Sequence, residues 1–275
     1  MTMESDTNAY VHGYSAREAQ RLGDQADTLA ALLHADTRYP AGSRVLEAGC
    51  GVGAQTVHLV AGSPGARIVS VDVSAESLAR ARALVTERAP GASVEWRQAD
   101  LYGLPFDEAS FDHVFVCFVL EHLKDPRAVL AELRRVLRPG GTLTVVEGDH
   151  GSTFFHPDGP YARAAIDCQV RLQAAGGGNA LIGRELQPLL AEAGFADVVV
   201  RPRTVYADET RPELVRGFTR DTFVAAIEAV RTDALAAGLT TEADFDRGVA
   251  ELSRSAEPGG TFHYVFVKGT AVRPR

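Results

Sequence analysis

The sequence predicts an α/β fold built on a doubly wound sheet. Apolar strand segments alternate with amphipathic helix patterns between Arg44 and Leu137. Phe111–Val119 is almost continuously apolar, as expected for a strand whose sheet is covered by helices on both faces. Repeated β-α units of this length place a binding crevice at the carboxyl ends of the strands.

Each element follows from a local signal. Five strands are predicted in the first part of the chain: Arg44–Gly49, Arg67–Val73, Val94–Asp100, Phe111–Val119 and Thr142–Glu147. A helix from about Ala16 to His34 precedes them. Ser74 is a predicted N-cap, and Asp125-Pro126 predicts another helix start.

The pattern becomes less regular after the fifth strand. Further elements are predicted at Tyr161–Ala175, Arg184–Ala193, Asp197–Tyr206, Pro212–Ala237, Thr241–Ser255 and Thr261–Val267, the last with alternating polar and apolar residues. We expect one domain over residues 1–275, with a helical cap (1–43), a core (44–150) and two lid insertions (151–183 and 207–260). The glycine run at 176–178 is a candidate hinge for the lid.

Composition excludes several classes of protein. The net charge of -8 and the lack of a basic run argue against nucleic-acid binding. Three cysteines without a C-x-x-C pair predict reduced, buried thiols and a cytoplasmic location. We find no secretory signal and no apolar run that would span a membrane. The oligomeric state stays open, a homodimer being one option.

A glycine-rich turn after the first strand predicts a nucleotide site. Gly49-x-Gly51-x-x-Ala54 fits the dinucleotide fingerprint, and Asp72 ends the next strand where a carboxylate can accept ribose hydroxyls. This leaves a NAD-dependent oxidoreductase as one interpretation. Glu47, two residues before the turn, could face a cationic ligand, and Asp100 could meet an adenine amino group.

Taken together, the motifs from Val45 to Glu147 resemble class I S-adenosylmethionine-dependent methyltransferases, in particular the small-molecule group that includes quinone-biosynthesis enzymes. The resemblance is carried by Glu47-x-Gly49-x-Gly51, Asp72, Ala99-Asp100, Leu104-Pro105-Phe106, Phe111-Asp112, Leu120-Glu121-His122-Leu123 and Leu137-x-Pro139-Gly140-Gly141. It implies a mostly parallel, seven-stranded Rossmann-like sheet, with Thr261–Val267 as a reversed strand near one edge.

The resemblance also implies which residues bind S-adenosyl-L-methionine and release S-adenosyl-L-homocysteine. Glu47, Gly49 and Gly51 would line the methionine half. Asp72 would bind the ribose, while Val73, Asp100 and Leu101 would contact the adenine. Cys117 would lie beside the sulfonium, and Tyr14 and Arg17 would close over the cofactor.

The segment after the fifth strand is a candidate acceptor pocket. His150 or Asp149 could act as a base or orient the acceptor, and Glu121 is a third candidate catalytic residue. Phe154, His156 and Arg184 are candidate substrate-binding residues. The polar residues could instead cap the next helix. A metal site is disfavoured, because the spacing of Asp149, His150 and His156 matches no standard signature.

These observations predict methyl transfer to a small-molecule acceptor, favouring C-methylation of a 2-oxo acid or an aromatic ring. O- or N-methylation stays open. A non-catalytic protein that kept the fold is a further alternative, although the intact turn with Asp72 and Asp100 argues against it.

Overall fold

The computed structural model describes residues 16–275, the first four by their backbone alone. Seven strands form one sheet: β1 (Arg44–Ala48), β2 (Arg67–Asp72), β3 (Val94–Gln98), β4 (Phe111–Cys117), β5 (Leu137–His156), β6 (Ala196–Ala207) and β7 (Thr261–Val272). Their order across the sheet is β3-β2-β1-β4-β5-β7-β6.

The pairing confirms the predicted architecture. Strands β3, β2, β1, β4 and β5 run parallel to one another. Strand β7 runs antiparallel to both β5 and β6, between which it lies. The carboxyl ends of the five parallel strands therefore share one edge, where a ligand crevice is expected.

Helices cover both faces of this sheet. They are α1 (Ala16–Leu33), α2 (Ala54–Gly62), α3 (Ala75–Arg88), α4 (Pro126–Val136), α5 (Pro160–Ala175), α6 (Leu186–Glu192), α7 (Pro212–Leu214), α8 (Ala225–Ala229), α9 (Arg231–Ala236) and α10 (Glu242–Ser253). The predicted caps are confirmed, because Ser74 accepts a hydrogen bond from Ser77 N and Asp125 accepts one from Ala128 N. Within residues 16–275, no helix is both long and apolar enough to cross a bilayer.

Two regions depart from the sequence prediction. Strand β5 continues nine residues past its predicted end at Glu147, because its distal part pairs with β7, with a register shift between Asp149 and Phe154. The predicted helix Pro212–Ala237 is divided by a π-helical stretch at Val215–Val224. The apolar side chains of Phe218 and Phe223 in this stretch are nonetheless buried.

The core is split between the two faces of the sheet. One cluster packs α1, α5 and the π-helical stretch on one face, and a second packs α4 and α6 on the other. The three cysteines, Cys50, Cys117 and Cys168, are free and buried, as predicted. Lys268 on β7 is also buried, and its Nζ donates to Leu33 O at 3.0 Å, which fixes the end of α1 to the sheet.

Candidate functional site

The glycine turn between β1 and α2 is tight at its ends and open in its middle. A Cβ at Gly49 would lie 2.7 Å from Val119 Cγ2, and one at Gly53 would lie 2.8 Å from Ala81 Cα. Both glycines have positive φ, at 75° and 84°. A Cβ at Gly51 would meet nothing within 4 Å. The backbone at Gly51 therefore faces open space, as a close approach to a cofactor requires.

Asp72 stands beside this opening at the end of β2. Its Oδ2 accepts a hydrogen bond from Gly51 N at 2.8 Å, and its Oδ1 accepts one from Ser74 N at 2.9 Å. Burial raises the pKa of this carboxyl, and backbone donors oppose that shift. Each carboxylate oxygen has a second lone pair, so the fixed group can still accept the hydroxyls of a ribose.

Glu47 is more enclosed than the sequence suggested. It is 2% exposed, and its Oε2 accepts hydrogen bonds from Thr56 Oγ1 at 2.7 Å and Ser70 Oγ at 2.6 Å. Burial raises its pKa to about 7. Through these two hydrogen bonds Glu47 connects β1 to β2 and α2, and it supports the glycine turn from inside the protein. It also stays a candidate residue for binding the methionine half of the cofactor.

The predicted adenine contacts lie at the tips of β2 and β3. Val73 is 53% exposed, which is unusual for an apolar residue at the end of a buried strand. Asp100 is exposed, and its Oδ1 accepts a hydrogen bond from Tyr102 N. Leu101 is buried beside them. An exposed apolar surface next to a carboxylate suits an adenine face with its amino group.

The tip of β4 holds an unusual backbone conformation. Phe118 follows Cys117 with φ 57°, a left-handed conformation that non-glycine residues seldom adopt. The next two amides, Val119 N and Leu120 N, donate to Glu147 Oε1 at 3.1 and 2.8 Å. Glu147 therefore holds the segment that packs against Gly49. Strained residues of this kind cluster at ligand sites.

Glu147 was not among the predicted site residues, although it ends the predicted fifth strand. It is fully buried, and its Oε2 has no hydrogen-bond partner among the described residues. Burial, reinforced by nearby Glu121, raises its pKa well above the usual range. Gln173 Nε2 donates to Glu121 Oε2 at 3.2 Å and to its carbonyl at 2.9 Å. The candidate Glu121 is thus held by α5.

Asp149 and Arg184, both predicted to act on the acceptor, bind each other. Arg184 Nε donates to Asp149 Oδ2 at 2.9 Å, and Arg184 Nη2 donates to Asp149 Oδ1 at 2.7 Å. This bidentate contact engages both carboxylate oxygens of Asp149 and two nitrogens of the guanidinium group. Their predicted roles, Asp149 as a base or orienting group and Arg184 as a substrate-binding residue, would require this ion pair to open.

His150 lies on the opposite face of β5 and is held by an aromatic neighbour. Its Nδ1 is 3.1 Å from Tyr264 Oη, and its ring packs 5.6 Å from that of Phe223. Burial lowers the pKa of His150, so the ring is neutral near pH 7. A Cβ on Gly148 would collide with Tyr264 Oη. No local pattern in the sequence indicates a role for Tyr264, which lies on β7.

The remaining predicted residues lie away from this group. Phe154 is 51% exposed and stacks on His263, with ring centroids 3.9 Å apart. His156, two residues on, is also exposed, whereas Phe155 between them is buried in the core. Phe154 and His156 therefore share the face of β5 opposite Phe155 and His150. Tyr14 and the side chain of Arg17 lie outside the described residues.

The described residues hold no cluster of three or more His, Cys, Asp or Glu placed to bind a metal ion. A cavity of about 330 Å³ opens at the amino ends of the strands, lined in part by Tyr39, His113 and Thr144. It lies at the opposite edge of the sheet from the glycine turn and is not part of this site.

Comparison with known proteins identifies the domain. Residues 46–145 match the family model described as "Methyltransferase domain". An uncharacterized 37.1 kDa protein in transposon TN4556 of Streptomyces fradiae is 39% identical over 66% of this chain and 52% of its own length. The O-methyltransferase cnsE of Penicillium expansum is 34% identical over 56% of this chain and 52% of its own length.

Another relative is named as a quinone-biosynthesis enzyme. The ubiquinone/menaquinone biosynthesis C-methyltransferase UbiE of Hahella chejuensis is 35% identical over 46% of this chain and 49% of its own length. The chain thus spans about half the length of these relatives. These matches confirm the family resemblance predicted from the motifs, and with it S-adenosyl-L-methionine as the cofactor.

Solved structures share the fold. Phosphoethanolamine N-methyltransferase 2 of Haemonchus contortus, solved with S-adenosyl-L-methionine, aligns with a TM-score of 0.55 at 20% identity. The alignment covers 90% of this chain and 52% of the other. At that identity the match supports the fold alone, which agrees with the seven-stranded sheet described above.

Proposed function

We propose that this chain, which contains an S-adenosyl-L-methionine-dependent methyltransferase domain over residues 46–145, transfers a methyl group to a small-molecule acceptor. The observation that carries the proposal is the glycine turn beside Asp72. Its backbone is open at Gly51, and the carboxylate is fixed at the same place by backbone N–H groups. This arrangement fits a nucleoside whose ribose reaches the end of β2.

The residues present also fit the other half of the cofactor. When bound, S-adenosyl-L-methionine would supply a methyl carbon on a positively charged sulfur, which would leave as a neutral thioether with the carbon–sulfur bonding pair as an electron pair of the acceptor bonds to that carbon. The chain's task is to position the reactants and exclude water. Glu147 fixes the Val119–Leu120 amides at the tip of β4, beside the predicted position of the sulfur.

The acceptor is best sought among molecules that carry an acidic O–H or C–H group. His150 is neutral and anchored at the carboxyl edge of the sheet, where it can contact such a group. A phenol, an enol or an activated aromatic ring fits this description. The named relatives include an O-methyltransferase and a ubiquinone/menaquinone biosynthesis C-methyltransferase, which supports transfer to oxygen or to carbon. Our preferred reaction remains C-methylation, with O-methylation next.

The cofactor assignment has a direct binding test. We expect Asp72→Ala to weaken S-adenosyl-L-homocysteine binding by about 1–3 kcal/mol, because charged hydrogen bonds to the ribose are lost. Titration calorimetry measures this, and Asp100→Ala is the comparison at the adenine end. NAD should produce no heat with the wild-type protein. Unchanged affinity in a folded Asp72→Ala variant would overturn the assignment.

The methyl acceptor can be identified by following the transfer of an isotope-labelled methyl group. Wild-type protein is incubated with isotope-labelled S-adenosyl-L-methionine and small-molecule extract from the producing organism, and labelled products are identified by mass spectrometry. We expect one labelled small molecule that is missing with the Asp72→Ala variant. Label that appears only on protein or nucleic acid would contradict a small-molecule acceptor.

A further inference from the structure

We propose that His150 presents an N–H group, at Nε2, to an oxygen of the acceptor, and that Tyr264 fixes the ring in this tautomer. The inference rests on the proposed function, and it narrows the acceptor to molecules with a carbonyl, enolate or phenolate oxygen next to, or at, the methylated atom. It assigns to Tyr264 a positioning role that acts through His150.

The first step concerns the proton of the Tyr264 phenol. Tyr264 is 2% exposed, and the rings of Phe218, Phe223 and Phe266 surround it at centroid distances of 5.5, 5.5 and 4.7 Å. These rings offer no oxygen or nitrogen acceptor. The phenol oxygen accepts a hydrogen bond from the backbone N–H of Asp149, and the His150 Nδ1 atom, 3.1 Å away, is the acceptor that the described residues provide for the phenol proton.

A buried phenol must donate its proton or lose the free energy of that hydrogen bond. Tyr264 stays protonated, because burial raises its pKa well above the usual range. Its O–H therefore donates to Nδ1. The residue at position 148 contributes to this contact, since any side chain larger than that of glycine would displace the phenol oxygen.

The second step follows from the chemistry of imidazole. A neutral ring carries one N–H, and a nitrogen that accepts a hydrogen bond cannot also hold that proton. Since Nδ1 accepts from Tyr264, Nε2 holds the proton. The His150 backbone is fixed as well, because its N–H donates to Ala180 O at 3.0 Å. His150 is thus fixed by one hydrogen bond at its backbone and one at its ring.

The third step concerns whether a ligand can approach Nε2. The hydrogen bond that the His150 ring makes to a described side chain is the one at Nδ1, and the residue is partly exposed. Nε2 is therefore the ring nitrogen left for a ligand. The half-buried ring lies at the carboxyl edge of the sheet, on the face where Phe118 and Phe266 meet with centroids 5.3 Å apart.

A donor at this position selects the acceptor by charge and polarity. An oxygen with negative charge or a carbonyl dipole accepts from Nε2–H, whereas an ammonium group does not. The surrounding aromatic rings suit a flat, largely apolar molecule. The acceptor class is therefore an enolate, a phenolate or a carbonyl compound, and a protonated amine is excluded from the same contact.

The tautomer is measured without any acceptor. In the wild-type chain labelled with ¹⁵N-histidine, two-bond nitrogen–proton correlation spectra at pH 8 distinguish Nε2–H from Nδ1–H, and His150→Gln identifies the signal. We expect the Nε2–H pattern in the wild type and a mixture in Tyr264→Phe. An Nδ1–H pattern in the wild type would overturn the inference. This readout holds whether or not methyl transfer is found.

Turnover provides the second arm, with the acceptor identified by labelling. Gln places an amide N–H near the position of Nε2, whereas Asn places one near Nδ1. We expect His150→Gln to retain about a tenth of the wild-type kcat/KM and His150→Asn to fall at least about 100-fold. Equal losses in the two variants would contradict a donor role at Nε2, even with cofactor binding intact in both.

Discussion

The site has a cofactor half, around the glycine turn and Asp72, and an acceptor half, around His150. The two halves differ in the sequence separation between the residues that are hydrogen-bonded to each other. In the cofactor half, Asp72 bonds Gly51, 21 residues away, and Glu47 bonds Ser70, 23 residues away. In the acceptor half, His150 bonds Tyr264 across 114 residues. The cofactor half is therefore built from neighbouring β-α units, whereas the acceptor half depends on the late strand β7 being inserted beside β5.

Each half also buries a glutamate on a strand, Glu47 on β1 and Glu147 on β5, and their carboxyl groups have different hydrogen-bond partners. Glu47 receives two hydroxyl groups on one oxygen. Glu147 accepts hydrogen bonds from two backbone N–H groups on one oxygen, and its other oxygen has no partner within the part of the chain that the structure describes. Burial raises the pKa of both groups. The Glu47 carboxyl therefore holds two side chains in place, whereas the Glu147 carboxyl holds two backbone amides.

The Gly53→Ala substitution tests how rigid the glycine turn of the cofactor half is. We expect Gly53→Ala to lower the free energy of unfolding by about 4 kcal/mol, because left-handed strain adds to an overpacked contact. The contact is with backbone, Ala81 Cα at 2.8 Å from a built Cβ, so it cannot be relieved by a rotamer change. Denaturant unfolding measures the difference.

Gly51→Ala is the matched control for that substitution. Gly51 also has a positive φ, at 53°, but a Cβ there meets nothing within 4 Å. Its cost should be limited to backbone strain, about 1–2 kcal/mol. If the two variants were equally stable, packing against α3 would not be the reason for glycine at position 53, and the turn would be more adaptable than its geometry indicates.

The second prediction uses the raised pKa of Glu47, about 7 against an ordinary 4.5. Between these values the folded state binds the proton more tightly than the unfolded state, so stability falls as pH rises. The penalty is absent below pH 4.5 and complete above about pH 7. We expect Glu47→Gln to remove it, raising the free energy of unfolding at pH 8 by about 3 kcal/mol relative to wild type.

Unfolding curves at pH 5 and pH 8 check the sign of this effect. At pH 5 the wild-type carboxyl is mostly protonated, so the substitution should change stability little. A Gln side chain can still accept from Thr56 and Ser70 through its carbonyl oxygen. A loss of stability in Glu47→Gln that is equal at both pH values would mean that Glu47 is charged in the folded protein throughout this range.

The difference in sequence separation between the two halves also explains which features could be predicted from the sequence. Strand β2, the Ser74 cap and the Asp72 position depend on nearby residues, and all three were predicted. The extension of β5 beyond Glu147 depends on pairing with β7, such as Asp149 opposite Val265, which no local pattern encodes. Periodicity also cannot distinguish a π-helical stretch from an α-helix, since both have an apolar stripe.

Site residues follow the same division. The glycine turn and Asp72 are recognisable because their chemistry needs fixed spacing along the chain. Tyr264 and Gln173 are ordinary residues of a strand and a helix until the fold brings them to His150 and Glu121. Asp149 and Arg184 were each predicted as functional, but only the structure shows that they pair.

The last prediction concerns the stability cost of breaking the Asp149–Arg184 ion pair, in the acceptor half. Asp149 is largely buried at its side chain, with 9% exposed, whereas Arg184 is 50% exposed. Arg184→Gln leaves the carboxylate without its bidentate partner, but solvent at the guanidinium screens the loss. We therefore expect a cost of about 1–2 kcal/mol, less than for a fully buried pair. Denaturant unfolding at neutral pH measures it.

Arg163→Gln is the matched control, because Arg163 makes a similar bidentate contact with Asp158 in which both side chains are more than half exposed. Its cost should stay within about 0.5 kcal/mol. A cost for Arg184→Gln no larger than this would show that Asp149 is well solvated without its partner. Asp149 would then be available to the acceptor after all, and the acceptor half would be more open than its ion pairs indicate.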